Sequence, residues 1–316
     1  ENDILKLYNA YRGPIDFKSN YILKKYRSDN DQLAEVETKE MSDKYSIGSN
    51  NWAISGEKSF NGYPLLANDP HRTIVAPSLR YMAHLVAPGW NVIGGGEPEI
   101  PGISIGHNGY GAWGLTVFRT DAEDLYVYNL NPNNPLEYFH NGKWEKFEII
   151  KETVSIKDKD DKEVELYYSV HGPVTFIDKK RNKAYAVKCG WLEVGGSPYL
   201  ASLRMDQSKS WEEFRDACNY SNIPGENMVW ADKDGNIGWQ SVGIAPIRNT
   251  HSGLVPVMGD GNYEWDGYLP IIDKPSKFNP EEKYIQTANQ NVTPDDYDKW
   301  NAIGFDWSDP FRGDRI

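Results

Sequence analysis

The chain has 316 residues, with 34 Lys and Arg against 46 Asp and Glu, which gives a formal net charge of -12. This acidic balance argues against a nucleic-acid-binding protein, which needs a basic surface, and apolar runs such as Ala83–Pro88 are too short to span a bilayer. Two cysteines, Cys189 and Cys218, allow at most one disulfide and cannot form a metal cluster. The chain is long enough for two domains or for one large β-rich domain.

Residues 1–48 differ in composition from the rest. Ile4–Tyr11 has the apolar spacing of a helix, and the sequence that follows, through Lys44, is dense in Lys, Asp, Glu and Ser. A segment with so few apolar residues cannot bury a core of its own. We therefore expect a short helix followed by a solvated connector, with a boundary between Gly48 and Ser49.

From Ser49 onward, short strand-like runs alternate with Gly, Pro, Asn and Asp. The abundance of aromatic residues and of turn formers, including 11 Trp, 20 Tyr and 28 Gly, favours a sheet-rich fold. The predicted strands, in chain order, are Asn51–Ser55, Leu65–Asn68, Ile103–Gly106, Ala112–Phe118, Leu125–Tyr128, Phe147–Ile156, Val164–Val170, Met228–Ala231 and Ile237–Val242. The predicted helices are Tyr199–Met205 and Trp211–Tyr220, the second capped by Ser210.

Several common site patterns are missing from the sequence. The six histidines lack zinc-ligand spacing, and there is no phosphate-binding loop. Gly94–Gly96 precedes Glu97, whose charge would repel phosphate, so a flexible loop is the simpler interpretation. Asp232–Asn236 looks like the start of a calcium-binding loop, but it lacks the distant Glu and the flanking helices, so we predict a hairpin turn with Gly235 at positive φ.

The junction Gly48-Ser49 has a specific chemical interpretation. If the Ser49 hydroxyl attacked the Gly48 carbonyl and the resulting ester were hydrolysed, Ser49 would become a new chain terminus. Its α-amino group, with a reference pKa of about 7.7–8.0, would then serve as a base on the residue that carries the nucleophile. A Gly-Ser pair alone far more often marks the ordinary start of a strand. The choice between these two interpretations therefore depends on the surrounding sequence.

The surrounding sequence resembles the penicillin acylase family of N-terminal-nucleophile hydrolases. Gly48-Ser49-Asn50-Asn51-Trp52 resembles the start of the family's β chain. Further matching landmarks follow in order through the chain: Ala67–His71, Pro101–Gly109, Ala112–Thr116, His171-Gly172-Pro173, Asp232–Gly238, Pro246-x-Arg248, Thr287–Gln290 and Gly313-Asp314-Arg315. Each landmark is weak alone, and their common order makes the resemblance specific.

The resemblance implies roles for individual residues. Ser49 matches the nucleophile, the Val117 N–H and the Asn289 side-chain amide match the oxyanion hole, and Arg315 matches an arginine that orients the nucleophile's surroundings. His71 matches a position that carries His in the cephalosporin and acyl-homoserine-lactone acylase branch, where it would tune the Ser49 amine. Without the resemblance, His71 and Arg315 would pass for surface residues, Val117 for strand core and Asn289 for a turn residue.

The resemblance also implies a structural calcium ion. Asp121 and Asp124 match two carboxylate ligands of that ion, and carboxylate oxygens suit calcium. Another family ligand comes from the other chain, and Asp296 or Asp298 matches a later ligand only loosely. An acidic loop without metal is the alternative.

The expected fold is α+β, with four αββα layers that contain two stacked antiparallel sheets. Residues 1–48 would be the end of an α chain plus a spacer removed by autocleavage, and 49–316 a nucleophile domain with a hairpin-rich insertion near 130–190. The expected activity is hydrolysis of an N-acylated small molecule, in partnership with the rest of the α and β chains and without a catalytic cofactor, nucleic acid or membrane. The resemblance suggests a periplasmic or secreted location. The alternatives are an inert or unprocessed domain of the same family, or a hydrolase that uses Cys189 or Cys218.

Overall fold

A computed structural model describes residues 48–316, apart from 73, 74 and 198. The predicted helix Ile4–Tyr11 and the connector that follows it lie outside the described residues. Within the described part of the chain, no helix is long and apolar enough to cross a membrane.

Antiparallel strands dominate the structure, in three main sheets. The first sheet has three strands, in the order β2-β1-β20: β1 Gly48–Ile54, β2 Leu65–His71 and β20 Tyr284–Thr287. The second has seven strands, in the order β19-β15-β14-β6-β5-β4-β3: β3 Tyr81–Ala87, β4 Trp90–Gly96, β5 Ile105–Asn108, β6 Gly111–Val117, β14 Glu226–Asp232, β15 Ile237–Ser241 and β19 Ser276–Phe278.

The third sheet has eight strands, in the order β10-β11-β12-β13-β7-β8-β9, with β17 paired to β7. Its strands are β7 Glu123–Asn131, β8 Asn134–His140, β9 Lys143–Lys146, β10 Glu148–Val154, β11 Lys162–Ser169, β12 Gly172–Asp178, β13 Lys183–Cys189 and β17 Val257–Met258. A small pair is formed by β16 Pro246–Arg248 and β18 Trp265–Tyr268. The α-helices are α1 Ser202–Met205, α2 Trp211–Cys218, α3 Trp300–Ile303 and α4 Phe311–Arg315.

Strand β14 shows how the layers stack, because all of its residues are buried. Successive side chains point to opposite faces of a strand. Met228 and Trp230 accordingly join the core beside α2, where the Phe214 ring lies 4.8 Å from that of Trp230. Val229 and Ala231 join the core on the other face, together with Ala53 and Ile285 of the three-stranded sheet.

The described layers are therefore helix, seven-stranded sheet and three-stranded sheet, in that order. This arrangement brings the beginning of β1 close to the end of β6, and the active-site candidates lie there. It agrees with the expected α+β class and with two stacked antiparallel sheets. The hairpins of the third sheet cover the region near 130–190, although the proposed domain boundaries stay a prediction.

Most predicted strands are present, and many are longer than predicted. The predicted hairpin of Phe147–Ile156 with Val164–Val170 forms as β10 and β11. The Ser210 hydroxyl caps α2 by accepting from the Glu213 N–H at 3.4 Å. Asp232–Asn236 forms the hairpin turn between β14 and β15, with Gly235 at φ +101°.

One interpretation of the sequence is wrong. Gly94–Gly96 is not a flexible loop, because these glycines form the end of β4 and pair with β3 and β5. At Gly94, a Cβ atom would lie only 2.1 Å from the Ile105 carbonyl oxygen. Glycine is required at this position because the backbones of two strands approach each other too closely to leave room for a side chain.

Candidate active site

Three strand ends define the site. Strand β1 begins at Gly48 and Ser49, and it pairs with the end of β2 so that Gly48 lies opposite His71. On its other side β1 pairs with β20, which ends at Thr287, shortly before Asn289. The first residues of β1 therefore lie between His71 and Asn289.

Ser49 is buried, and both its backbone nitrogen and its hydroxyl contact the side chain of Asn289. Its side chain and backbone are only 4% exposed. The Ser49 N–H donates to Asn289 Oδ1 at 2.8 Å, and Asn289 Nδ2 donates to Ser49 Oγ at 3.2 Å. One carboxamide thus fixes the nitrogen and the hydroxyl of the same residue.

Asn289 is held in an unusual backbone conformation. Its φ is +70°, in the left-handed region that non-glycine residues adopt uncommonly and that Asn tolerates better than most. Its Nδ2 also lies 3.2 Å from the carbonyl oxygen of Val117, the last residue of β6. A buried hydrogen bond of 2.8 Å between the hydroxyls of Thr116 and Thr287 ties β6 to β20 just before these two residues. Ser49, Val117 and Asn289 are therefore brought together, as the sequence predicted.

His71 lies at the rim of the same site. Its Nε2 is 3.1 Å from Asp69 Oδ2 and 3.1 Å from Asn50 Nδ2. Its Nδ1 faces Gly48, since a Cβ on Gly48 would lie 3.2 Å from it. If the proton is on Nε2 and is donated to Asp69, the lone pair of Nδ1 is directed toward the Gly48-Ser49 junction.

The arginine in the site is Arg312, which sequence reasoning missed. Arg312 Nη1 donates to the Ser49 carbonyl at 2.9 Å and to Asn50 Oδ1 at 3.0 Å, and Nη2 donates to Asn289 Oδ1 at 2.9 Å. Arg315, the predicted residue, lies on the same helix, α4, but it is exposed. The sequence contains both arginines around Gly313, and nothing in the pattern tells which of them faces β1.

Neither cysteine fits a nucleophile. Both are free thiols, Cys218 buried and Cys189 partly buried. Burial raises the pKa of both thiols, and so opposes the thiolate form that attacks carbonyl groups.

The predicted calcium ligands lie around a buried arginine instead. Asp124 Oδ2 accepts from Arg248 Nε at 2.8 Å, from His251 Nε2 at 3.0 Å and from the Trp265 indole N–H. Burial alone would raise the pKa of Asp124, but the bonds from His251 and Arg248 outweigh it, so the pKa is lowered and the carboxylate stays charged. Asp121 Oδ1 lies 3.5 Å from Arg248 Nη2, and burial raises the pKa of Asp121 to about 6.

These residues do not fit a calcium ion. The Arg248 side chain is fully buried and already supplies the positive charge that faces both carboxylates. One buried oxygen, Asp124 Oδ1, has no hydrogen-bond partner among the described residues, but a dication placed there would be repelled by the guanidinium. Asp296 and Asp298 are both exposed. The calcium ion stays an untested prediction, and no catalytic step depends on it.

Comparison with known proteins shows the family of the chain. The family model described as penicillin amidase matches residues 5–316. Penicillin G acylase of Escherichia coli is 31% identical over 265 residues, which are 83% of this chain and 31% of that protein. The acyl-homoserine lactone acylase QuiP of Pseudomonas aeruginosa is 32% identical over 281 residues, which are 85% of this chain and 33% of that protein.

The fold has a solved counterpart as well. The thermostable penicillin G acylase of Alcaligenes faecalis superimposes with a TM-score of 0.74 at 30% identity, over 81% of this chain and 46% of that chain. The chain spans about a third of the length of the curated relatives it matches. The family match, the shared fold and the site around Ser49 lead to one conclusion: this chain belongs to the penicillin amidase family and has the N-terminal-nucleophile hydrolase fold.

Proposed function

We propose that the protein hydrolyses the amide bond of an N-acylated small molecule, with Ser49 as the nucleophile after the chain is cut between Gly48 and Ser49. The observation that carries this proposal is the shared carboxamide of Asn289, which contacts both the nitrogen and the hydroxyl of Ser49. A hydrolase whose nucleophile and base belong to one residue needs both atoms held at once. An ordinary structural serine has no such need.

The cut itself would use the same hydroxyl. Ser49 Oγ attacks the Gly48 carbonyl carbon, its proton passes to the Ser49 nitrogen as the C–N bond breaks, and the acyl group is transferred to oxygen as an ester. Water then hydrolyses the ester, which leaves a carboxylate on Gly48 and a free amine on Ser49. Before the cut, the Ser49 nitrogen is an amide and has no basic lone pair, so an uncut chain would be inert. That is the alternative within the same family.

In the proposed turnover, the free amine takes the proton of the hydroxyl as Oγ attacks the substrate carbonyl. The negative charge on the carbonyl oxygen is stabilised by the Asn289 Nδ2 and by the Val117 N–H. The proton then passes to the leaving amine, an acyl-enzyme forms on Ser49, and water releases the acid. Arg312 holds the Ser49 carbonyl and Asn289 Oδ1 in place throughout, and His71 is proposed to tune the proton affinity of the amine.

The relatives indicate the class of substrate. One is named for penicillin G and another for acyl-homoserine lactones, so we propose an acyl amide as substrate and leave the acyl chain open. The rest of the α and β chains is the proposed partner, and a periplasmic or secreted location stays a proposal that cell fractionation would test.

The test is a panel of phenylacetyl, glutaryl and long-chain acyl amides, assayed with the full-length precursor. Ser49→Ala should abolish both the cut and the hydrolysis of every substrate. The matched control is Ser55→Ala, at the residue that follows β1, where the serine is also buried and its hydroxyl accepts from the Glu57 N–H. Cutting and hydrolysis that persist in Ser49→Ala would refute the proposal.

A further inference from the structure

A second cluster of chemically reactive side chains lies where the eight-stranded sheet meets the start of β18, away from Ser49. His140 ends β8, His171 lies in the turn between β11 and β12, and Glu264 immediately precedes β18. One ligand atom of each lies within 4.8 Å of the other two. No other group of three His, Cys, Asp or Glu residues meets this distance within the part of the chain that the structure describes.

The ring orientation of His140 is fixed by its backbone partner. His140 is buried, and its Nδ1 lies 2.9 Å from the carbonyl oxygen of Gly259. A carbonyl only accepts, so the proton of the neutral ring is on Nδ1, and Nε2 has a free lone pair. That lone pair currently accepts from Asn141 Nδ2 at 2.9 Å, a contact that a bound ion would replace.

The ring of His171 is also oriented by a contact between its Nδ1 and an oxygen atom. Its Nδ1 contacts the Tyr128 hydroxyl, which in turn donates to Ser169 Oγ at 3.1 Å. On the other side of the ring, His171 Nε2 lies 2.8 and 2.9 Å from the two oxygens of the Glu264 carboxylate. A metal ion bound between these two groups would take the place of the proton that Nε2 shares with the carboxylate.

The chemistry of the three groups is that of a transition-metal site. Metal ions bind the neutral imidazole and the ionised carboxylate. A hydrogen bond from the second ring nitrogen to an oxygen is the usual support of a metal-bound histidine, and both rings have one. The Glu264 carboxylate lies in direct contact with the His171 ring.

We propose that His140 Nε2, His171 Nε2 and the Glu264 carboxylate bind a divalent ion of the zinc class, with water in the fourth position. Two imidazoles and a carboxylate with one open position is an established zinc ligand set. In a tetrahedral site the ligand nitrogen and oxygen atoms are about 3.3 Å apart, whereas these three atoms lie within 4.8 Å of one another, so the side chains have to close around the ion by up to about 1.5 Å. The Glu264 side chain is 42% exposed, which leaves room for its part of that movement. The ion would join the end of β8 and the turn between β11 and β12, both in the eight-stranded sheet, to the residue that precedes β18.

The test is calorimetric titration of the chelator-treated full chain with ZnCl₂, followed by the same titration with CoCl₂ and an absorption spectrum. The expected result is one saturable site with a visible cobalt band of tetrahedral intensity. Glu264→Gln and His140→Gln should each weaken binding at least about tenfold. Both variants keep a polar group of similar size, and their melting temperatures in chelator should match that of the parent chain.

The matched control is His71→Ala, because His71 also lies beside a carboxylate, that of Asp69. Unchanged binding in this variant supports the proposed cluster. The proposal is overturned if no single saturable site is found, if Glu264→Gln and His140→Gln bind zinc as the parent does, or if His71→Ala abolishes binding. None of these readouts uses the amidase activity.

Discussion

Replacing Asn289 by Asp exchanges the side-chain NH₂ group for an oxygen and keeps the oxygen Oδ1. In the protein, Oδ1 accepts from the Ser49 N–H at 2.8 Å and from Arg312 Nη2 at 2.9 Å. An aspartate keeps an acceptor for both and gains a charge interaction with Arg312. It loses the N–H that lies 3.2 Å from Ser49 Oγ, and it places a negative charge where the oxyanion would form.

The expected loss follows from that single donor. Removal of one oxyanion-hole donor typically costs about 2.7–4 kcal/mol, or about 10²–10³ in kcat. The added carboxylate acts in the same direction, so kcat for amide hydrolysis should fall by at least about a hundredfold. The assay is steady-state hydrolysis by the full-length processed enzyme, and a thermal melt shows whether the fold is retained.

Asn279→Asp is the matched control. Asn279 also has positive φ, its Oδ1 accepts from the Ile237 N–H at 2.9 Å, and its Nδ2 donates to Asn236 at 2.9 Å. The same chemical change is made there outside the site, so kcat should stay near the parent value. A kcat for Asn289→Asp within about threefold of the parent would refute the assignment of Asn289 as an oxyanion donor, since that corresponds to less than about 1 kcal/mol.

Three further predictions follow from the same geometry. In Gly48→Ala the new methyl group would lie 3.1–3.2 Å from Arg312, Asn289 and His71 atoms, so gel analysis should show slower cutting, whereas Gly109→Ala, with nothing within 4 Å, should be cut normally. Arg312→Lys should lower kcat and Arg315→Lys should not; equal effects would refute the choice of arginine. Burial raises the pKa of Glu226 from 4.5, its ordinary value in the unfolded chain, to about 8 in the folded protein. The part of the free energy of unfolding that comes from protonated Glu226 is therefore complete below pH 4.5 and is lost as the pH rises through 8. Glu226→Gln should therefore gain stability relative to the parent between pH 4.5 and 8 in urea melts, and a constant difference would contradict this.

The sequence predicted what depends on local pattern. Alternating apolar residues and turn formers located most strands, and the Ser210 cap and the Gly235 turn are local hydrogen-bond and φ requirements. Gly94–Gly96 was misread because a glycine in a strand that allows close approach of two backbones looks like a loop glycine in sequence. Only the position of the neighbouring strand distinguishes the two.

The site was predictable as far as the family landmarks reach. Ser49, His71, Val117 and Asn289 lie together as expected, although their catalytic roles remain proposals. Arg312 was missed because the choice between two arginines on one short helix depends on how that helix packs against β1. The pairing of Asp124 with Arg248 and His251 was also hidden, because more than a hundred residues separate these partners and their contact is purely tertiary.

The central claim is that Ser49 carries the acyl group during turnover. Acid quenching of the processed enzyme with a slowly hydrolysed acyl amide, followed by peptide mass spectrometry, tests it directly. The account predicts an acyl adduct on the Ser49 side chain, in a peptide that begins at Ser49. An adduct on any other residue, or turnover by a chain still joined to Gly48, would contradict it.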